Sequence, residues 1–175
     1  MSEETIRILR AGSERVDDLE PLWKALHDHH REVATPIPAA PWRETDDSWP
    51  RRREKYLGFL AQPDAFVLVA EDGGRPVAYA LVTVSGSADD TNDTGDRWAE
   101  LQTLSVLPRF RVRGLGTRML EAVYAELRPL GVRTMSIGVA RGNDDALHFY
   151  ARHGFTPWIT ATLGPIPPDP RSPEA

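Results

Sequence analysis

Four arginines, Arg109, Arg111, Arg113 and Arg118, crowd around Gly114 and Gly116 in the stretch LSVLPRFRVRGLGTRML. The apolar run before Pro108 reads as a strand, and the residues from Leu115 onward read as a helix. A strand that runs straight into a helix leaves the first helical amides without intrahelical acceptors. Those donors point at one spot, where the helix dipole adds partial positive charge, and such a spot binds phosphate. Glycine at the junction lets a ligand come close to the backbone. The arginines add a field suited to an anion bearing several phosphates. An ordinary connection with solvated arginines has the same spacing, so both readings stand on spacing alone.

Two familiar phosphate loops are excluded. The dinucleotide fingerprint needs a third glycine, where GLGTRM has Met119. No GK[ST] run with the P-loop gap occurs. The chain as a whole carries a net charge of -5, which argues against nucleic acid as a partner and leaves room for a small anionic ligand. There is no cysteine, hence no disulfide, no Cys-ligated zinc and no thiol nucleophile. The opening MSEETIRILRAG lacks the apolar core of a signal peptide, and no apolar run approaches membrane-spanning length. The expectation is a cytoplasmic protein with no membrane partner.

The elements that would position this junction follow from periodicity. Thr5 to Arg10 reads as a strand. Val16 to Val33 reads as a helix, with Val16, Leu19, Leu22, Trp23 and Leu26 at helical spacing. Ser48 to Leu60 reads as a second helix, with Ser48 as cap and Pro50 in its first turn. Ala65–Ala70 and Pro76–Val84 form a hairpin around Asp72-Gly73-Gly74. Both strands are continuously apolar, so both sheet faces are covered. Strand Trp98–Val106, helix Leu115–Leu127, strand Arg133–Val139 and helix Asp144–His153 follow, and Phe155–Leu163 reads as a last strand. The expected order is βααβββαβαβ, one α/β domain over residues 1–164 with a Pro-rich flexible tail over 165–175.

Arg111-Val112-Arg113-Gly114-Leu115-Gly116 resembles the R/Q-x-x-G-x-G/A signature of the GNAT superfamily of acetyl-CoA-dependent N-acetyltransferases. The block from Asn143 to Phe155, NDDALHFYARHGF, resembles that superfamily's later N-x-x-A-x-x-F-Y-x-x-x-G-F pattern. Both blocks occur in the family's order. The resemblance implies a mixed, mostly antiparallel central sheet with one splayed parallel strand pair and helices on both faces. It implies acetyl-CoA as co-substrate, held in the gap between Trp98–Val106 and Arg133–Val139. Backbone groups of Leu104, Ser105 and Val106 would pair with the pantetheine arm. The amides of Val112, Arg113, Gly114, Leu115, Gly116 and Thr117 would hold the pyrophosphate. Arg111 and Arg113 would either add charge or lie on the surface. Asn143 would reach the pantetheine from the other side, a role compatible with capping the helix that follows.

The implied reaction is attack of a neutral amine on a thioester. An alkylammonium of pKa ~10.4 is neutral in only about one molecule in 10³ at pH 7, so a base or a desolvated site is needed. Glu100 matches the family's general-base position; its plainer reading is a strand-end carboxylate. Tyr150 matches the usual acid toward the departing sulfur; its plainer reading is a core tyrosine. A backbone N–H of the Leu104–Val106 segment would meet charge on the thioester oxygen.

For the acceptor, an amine of a small molecule or a protein, the candidates are Trp23, His27, His30 and Trp49. His27 and His30 could converge at i and i+3, but no third ligand is evident, so no metal is expected. Trp42, Trp49 and the acidic loop Asp89–Asp96 could make an apolar, anionic pocket for a cationic amine; the loop is otherwise a solvated connection. Arg51, Arg52 and Arg53 are most simply a charged helix face, although an acidic acceptor could use them. A non-catalytic acyl-CoA sensor and a transferase of longer acyl groups are the alternatives. A homodimer is compatible with the sequence, with Pro157–Leu163 as a contributing edge.

Overall fold

The computed structural model describes residues 6–86 and 89–167, and of 112 and 113 only the backbone. The chain runs β1 (Arg7–Ala11), α1 (Glu20–Val33), α2 (Thr45–Leu60), β2 (Phe66–Asp72), β3 (Arg75–Gly86) and β4 (Arg97–Val106). It continues with α3 (Leu115–Leu127), β5 (Thr134–Ser136) and α4 (Asp144–Arg152). Short 3-10 turns occupy Ser13–Leu19, Pro108–Arg113 and Arg128–Leu130. Among the described residues no helix is long and apolar enough to cross a membrane.

The strands form one sheet in chain order. β1 to β4 pair antiparallel, and β5 runs parallel to β4. Gly73 and Gly74 close the β2–β3 hairpin with φ of 57° and 80°, the left-handed pair that a two-residue turn requires. Both faces of the sheet are covered, as the unbroken apolar runs require. Phe66, Leu68, Ala80, Val82 and Leu101 pack under α3, whose Leu115, Met119, Leu120, Val123 and Leu127 form one buried stripe. Val67, Val69, Tyr79 and Leu81 face α1 and α2 through Leu22, Trp23, Trp49 and Tyr56. Hydroxyls tie that second layer to β4. Tyr56 Oη lies 2.6 Å from Thr103 Oγ1 and 2.9 Å from Tyr79 Oη, and Ser105 Oγ donates to the Leu22 carbonyl at 3.1 Å.

Four expectations are corrected. The first helix starts at Glu20, after a 3-10 turn, because Pro21 fits only a first helical turn. The second helix begins at Thr45, one turn early, with Asp46 and Asp47 at its positive end and Pro50 inside it. The strand expected over Arg133–Val139 pairs only at Thr134–Ser136. Its partner explains this. Leu81 faces Thr103 and Val82 faces Leu101, so Gln102 is an extra residue, and a bulge of that kind bends a strand away. Beyond the bulge the parallel pair splays.

The expected last strand, Phe155–Leu163, joins no sheet. Pro157 removes a donor, and β5 offers only three residues of edge. Trp158 instead stands 5.3 Å from Trp98, ring centre to ring centre. Of the expected tail, residues 168–175 lie outside the described residues.

Candidate active site

The splay opens a cleft of about 860 Å³. Gln102, Thr103, Leu104 and Val106 of β4 form one wall, and Ile137 to Ala140, continuing from β5, form the other. The start of α3, the start of α4 and the inner side of α1 close it.

Gly114 sits at the junction with φ 71° and ψ 6°, left-handed, and is the N-cap of α3. The amides of Leu115, Gly116 and Thr117 precede the first i to i−4 bond, from Arg118 N to Gly114 O at 3.1 Å. They are the helix-start amides that the sequence implies. Leu115 puts its side chain in the core at 1% exposure, so it can serve a ligand only through its backbone. The two glycines differ in purpose. A Cβ on Gly114 would meet nothing within 4 Å, so its need is conformational. A Cβ on Gly116 would lie 3.3 Å from the Phe149 ring, so its need is the close approach of α4.

Among the described side chains, Arg109, Arg111 and Arg118 do not converge. Arg111 lines the cleft, and its Nε donates to the Val106 carbonyl at 3.0 Å. A pantetheine arm pairing with Val106 would share that carbonyl's second lone pair. Arg118 Nη2 donates to the Ile6 carbonyl at 2.8 Å, and Arg109 stacks on Phe110 at 4.9 Å. Arg152, which the spacing did not single out, lines the cleft instead. Ser105 offers its backbone alone, since its hydroxyl is committed to α1.

Asn143 caps α4, accepting from Ala146 N at 3.2 Å, and it also lines the cleft. Tyr150 is 7% exposed and lines the cleft between Phe149 and Phe155, with centroids at 5.1 and 5.4 Å. Burial, followed by Tyr124, raises its pKa above the phenol value, so the hydroxyl keeps its proton. Glu100 stands apart. It is exposed, level with Thr83 on β3 and Ser136 on β5, and does not line the cleft. Two residues on, Gln102 does, with Nε2 donating to Thr83 Oγ1 at 3.0 Å.

Of the acceptor candidates, Trp23 and His30 line the cleft, while His27 lines an adjoining chamber with Nδ1 3.0 Å from Thr45 Oγ1. Trp49 is a core residue at 6% exposure and lines neither cavity. The acidic loop also stays away: Asp89 accepts from the amides of Thr91 and Asn92, and Asp93 pairs with Arg133 at 2.9 Å. His29, Trp42 and Arg52 line the cleft as well. Among the described residues no three His, Asp or Glu side chains converge as metal ligands.

Burial, reinforced by His29, His27, Arg52 and Arg111, pushes His30 down from 6.5 to about 4. Its imidazole is neutral at pH 7. The unfolded chain takes up this proton below pH 6.5 and the folded chain only near pH 4. This part of the stability is therefore complete above pH 6.5 and lost as the pH falls toward 4. Solvent screening of a partly exposed ring holds the loss to about 1–2 kcal/mol. Thermal melts from pH 7 to 4 are expected to show a falling midpoint that His30→Gln partly flattens. His27 and His29, also lowered by burial, add to the slope.

A profile described as Acetyltransferase (GNAT) family matches residues 23–155. An uncharacterised N-acetyltransferase of Mycobacterium tuberculosis is 30% identical over 101 residues, which is 58% of this chain and 59% of that protein. Mycothiol acetyltransferase of Propionibacterium freudenreichii is 25% identical over 165 residues, 93% of this chain and 47% of that protein. The matched stretch thus spans about half the length of these relatives. A GCN5-related N-acetyltransferase from Ralstonia eutropha has the same fold, with TM-score 0.71 and 21% identity over 93% of this chain and 99% of that one. An aminoglycoside N-acetyltransferase crystallised with CoA superposes with TM-score 0.65 and 17% identity, over 93% and 95% of the two chains.

Proposed function

The chain belongs to the acetyltransferase (GNAT) family, and on that premise we propose that it transfers the acetyl group of acetyl-CoA to a primary amine. One observation carries the reading: the start of α3, Asn143 and Tyr150 meet on one cleft where the parallel strand pair splays. The cleft is of a size and donor set that suit an extended diphosphate ligand.

In the transfer a C–N bond forms to the acyl carbon, the C–S bond breaks, and CoA leaves as its thiol. The α3 amides and Arg111 bind the diphosphate and fix where the thioester lies. Tyr150 donates a hydrogen bond toward the departing sulfur. Full proton transfer from a phenol of raised pKa to a thiol of about 8.5 is uphill, so the donor steadies the developing charge and solvent completes the protonation. Glu100 removes the ammonium proton. Its exposed position outside the lining favours action through a water rather than by direct contact.

That same placement of Glu100 supports one competing reading, an acyl-CoA-binding module without turnover. Calorimetry with CoA and thiol release over an amine panel separate the two. The transferase reading expects CoA binding, amine-dependent thiol release, and a roughly 10²-fold fall in kcat for Glu100→Gln with CoA still bound. CoA binding with no thiol release from any amine class would leave the binding module. No CoA binding would remove both.

A further inference from the structure

Beside the cleft lies the second chamber, of about 360 Å³, and Trp23, Trp42, Arg52 and Ala140 line both. Three arginines, Arg43, Arg52 and Arg141, line the chamber, and no aspartate or glutamate does. None of the three makes an ion pair among the described residues. Three carboxylates on or against α2 are engaged by other cations. Glu44 pairs with Arg31 at 3.1 Å, Asp46 with Lys24 at 2.7 Å and Asp17 with Arg53 at 2.5 Å. One solvated arginine needs no explanation; three around a single concave, tryptophan-walled space with no carboxylate in its lining focus positive potential into it, against the more distant Asp28 and Glu44.

The wall is built to hold them. Arg52 lies 3.9 Å from the Trp23 ring centre and donates toward the Tyr56 hydroxyl, which fixes the guanidinium and leaves its other N–H groups for an anion. Thr35 N donates to the Arg141 carbonyl at 2.7 Å, pinning that loop to the end of α1 across the chamber. Trp23 is 5% exposed, and its Nε1 is the buried side-chain donor left without a partner among the described residues. Trp42, Ile37 and Pro41 add apolar surface. His27 is kept from protonating chiefly by burial, so it sets no requirement for a cation or an anion.

We propose that this chamber selects acceptors that carry a carboxylate on an apolar or aromatic body, the carboxylate held by Arg52 with Arg43 and Arg141. The amine then lies toward the shared cleft. The proposal rests on the acetyl-transfer reading above and narrows its acceptor to an amino-acid-like amine. A polycationic acceptor would bring like charge to three arginines.

Thiol release with acetyl-CoA tests it on matched pairs, tryptophan against tryptamine and phenylalanine against phenethylamine, with spermidine as polycation. The carboxylated partner is expected to show a kcat/KM at least about tenfold higher, the scale of one charge-assisted hydrogen bond. Arg52→Gln should bring the ratio toward one, and Arg141→Gln, at an exposed position, repeats the test should the first variant fail to fold. Tryptamine or spermidine used as well as the carboxylated amines would overturn the selectivity and leave acetyl transfer standing, as would a ratio unchanged in both variants. With no amine turned over, acetyl transfer fails and calorimetry on the CoA-saturated chain decides the chamber. Tryptophan binding that tryptamine does not match, and that Arg52→Gln removes, supports it; equal or absent binding overturns it.

Discussion

Tyr150→Phe is expected to lower kcat by about 10²-fold or more while CoA binds as before. The ring is what the fold uses. It packs on Phe149 and Phe155 and is 7% exposed, so phenylalanine keeps the packing and loses only the hydroxyl. That hydroxyl makes no hydrogen bond among the described residues, so its removal leaves no protein group stranded, and stability should move little. The loss therefore falls on the step in which sulfur accumulates charge, an interaction absent from the bound ground state. Sign also matters. A phenol whose pKa burial has raised stays protonated through neutral and mildly alkaline pH, so Tyr150 should contribute no alkaline limb to the rate profile below pH 10. The measurement is kcat from thiol release, CoA affinity by calorimetry, and a thermal melt. A variant with kcat within twofold of the native chain would make Tyr150 a core residue that happens to line the cleft.

Helices α3 and α4 are legible in the sequence because their signals are local. Leu115, Met119, Leu120, Val123 and Leu127 repeat at helical spacing, and Gly131 follows with φ 71°, so α3 was legible to its ends. Asn143 before two aspartates likewise marked the start of α4, and the side chain does cap it. The shortened β5 and the dispersed arginines depended on partners far along the chain. The bulge at Gln102 exists only as a register between β3 and β4, so the shortened β5 could not be read from either strand. Arg118 looked like part of a phosphate cluster, yet its partner is Ile6, 112 positions away. Arg52 looked like one of three solvated charges, and only the orientation of α2 sets it on Trp23 while Arg53 turns to Asp17. Glycine was legible as a requirement but not by cause, since close packing on Phe149 and a left-handed backbone leave the same letter.

That difference in cause makes the second large effect. Substitutions at Gly114 should rank Asn, Ala, Val in increasing damage to both stability and CoA binding, with Ala destabilising by roughly 1–2 kcal/mol and Val by more. At φ 71° a Cβ strains the backbone itself, though the space around it is empty, and asparagine tolerates that region best among the other residues. Relief of the strain requires rotating the N-cap, and the amides of Leu115, Gly116 and Thr117 turn with it. CoA affinity should therefore fall by about tenfold or more for Ala, beyond what reduced folding accounts for. Gly116 supplies the contrast. Its constraint is a contact 3.3 Å from a half-buried Phe149 ring, which can yield by a few tenths of an ångström. Gly116→Ala should thus be mild, Gly116→Asn worse, the reverse of the order at Gly114. Melts and CoA titrations on the five variants read both orders at once. If asparagine were no better than alanine at Gly114, the left-handed cap would not be what aims the α3 amides.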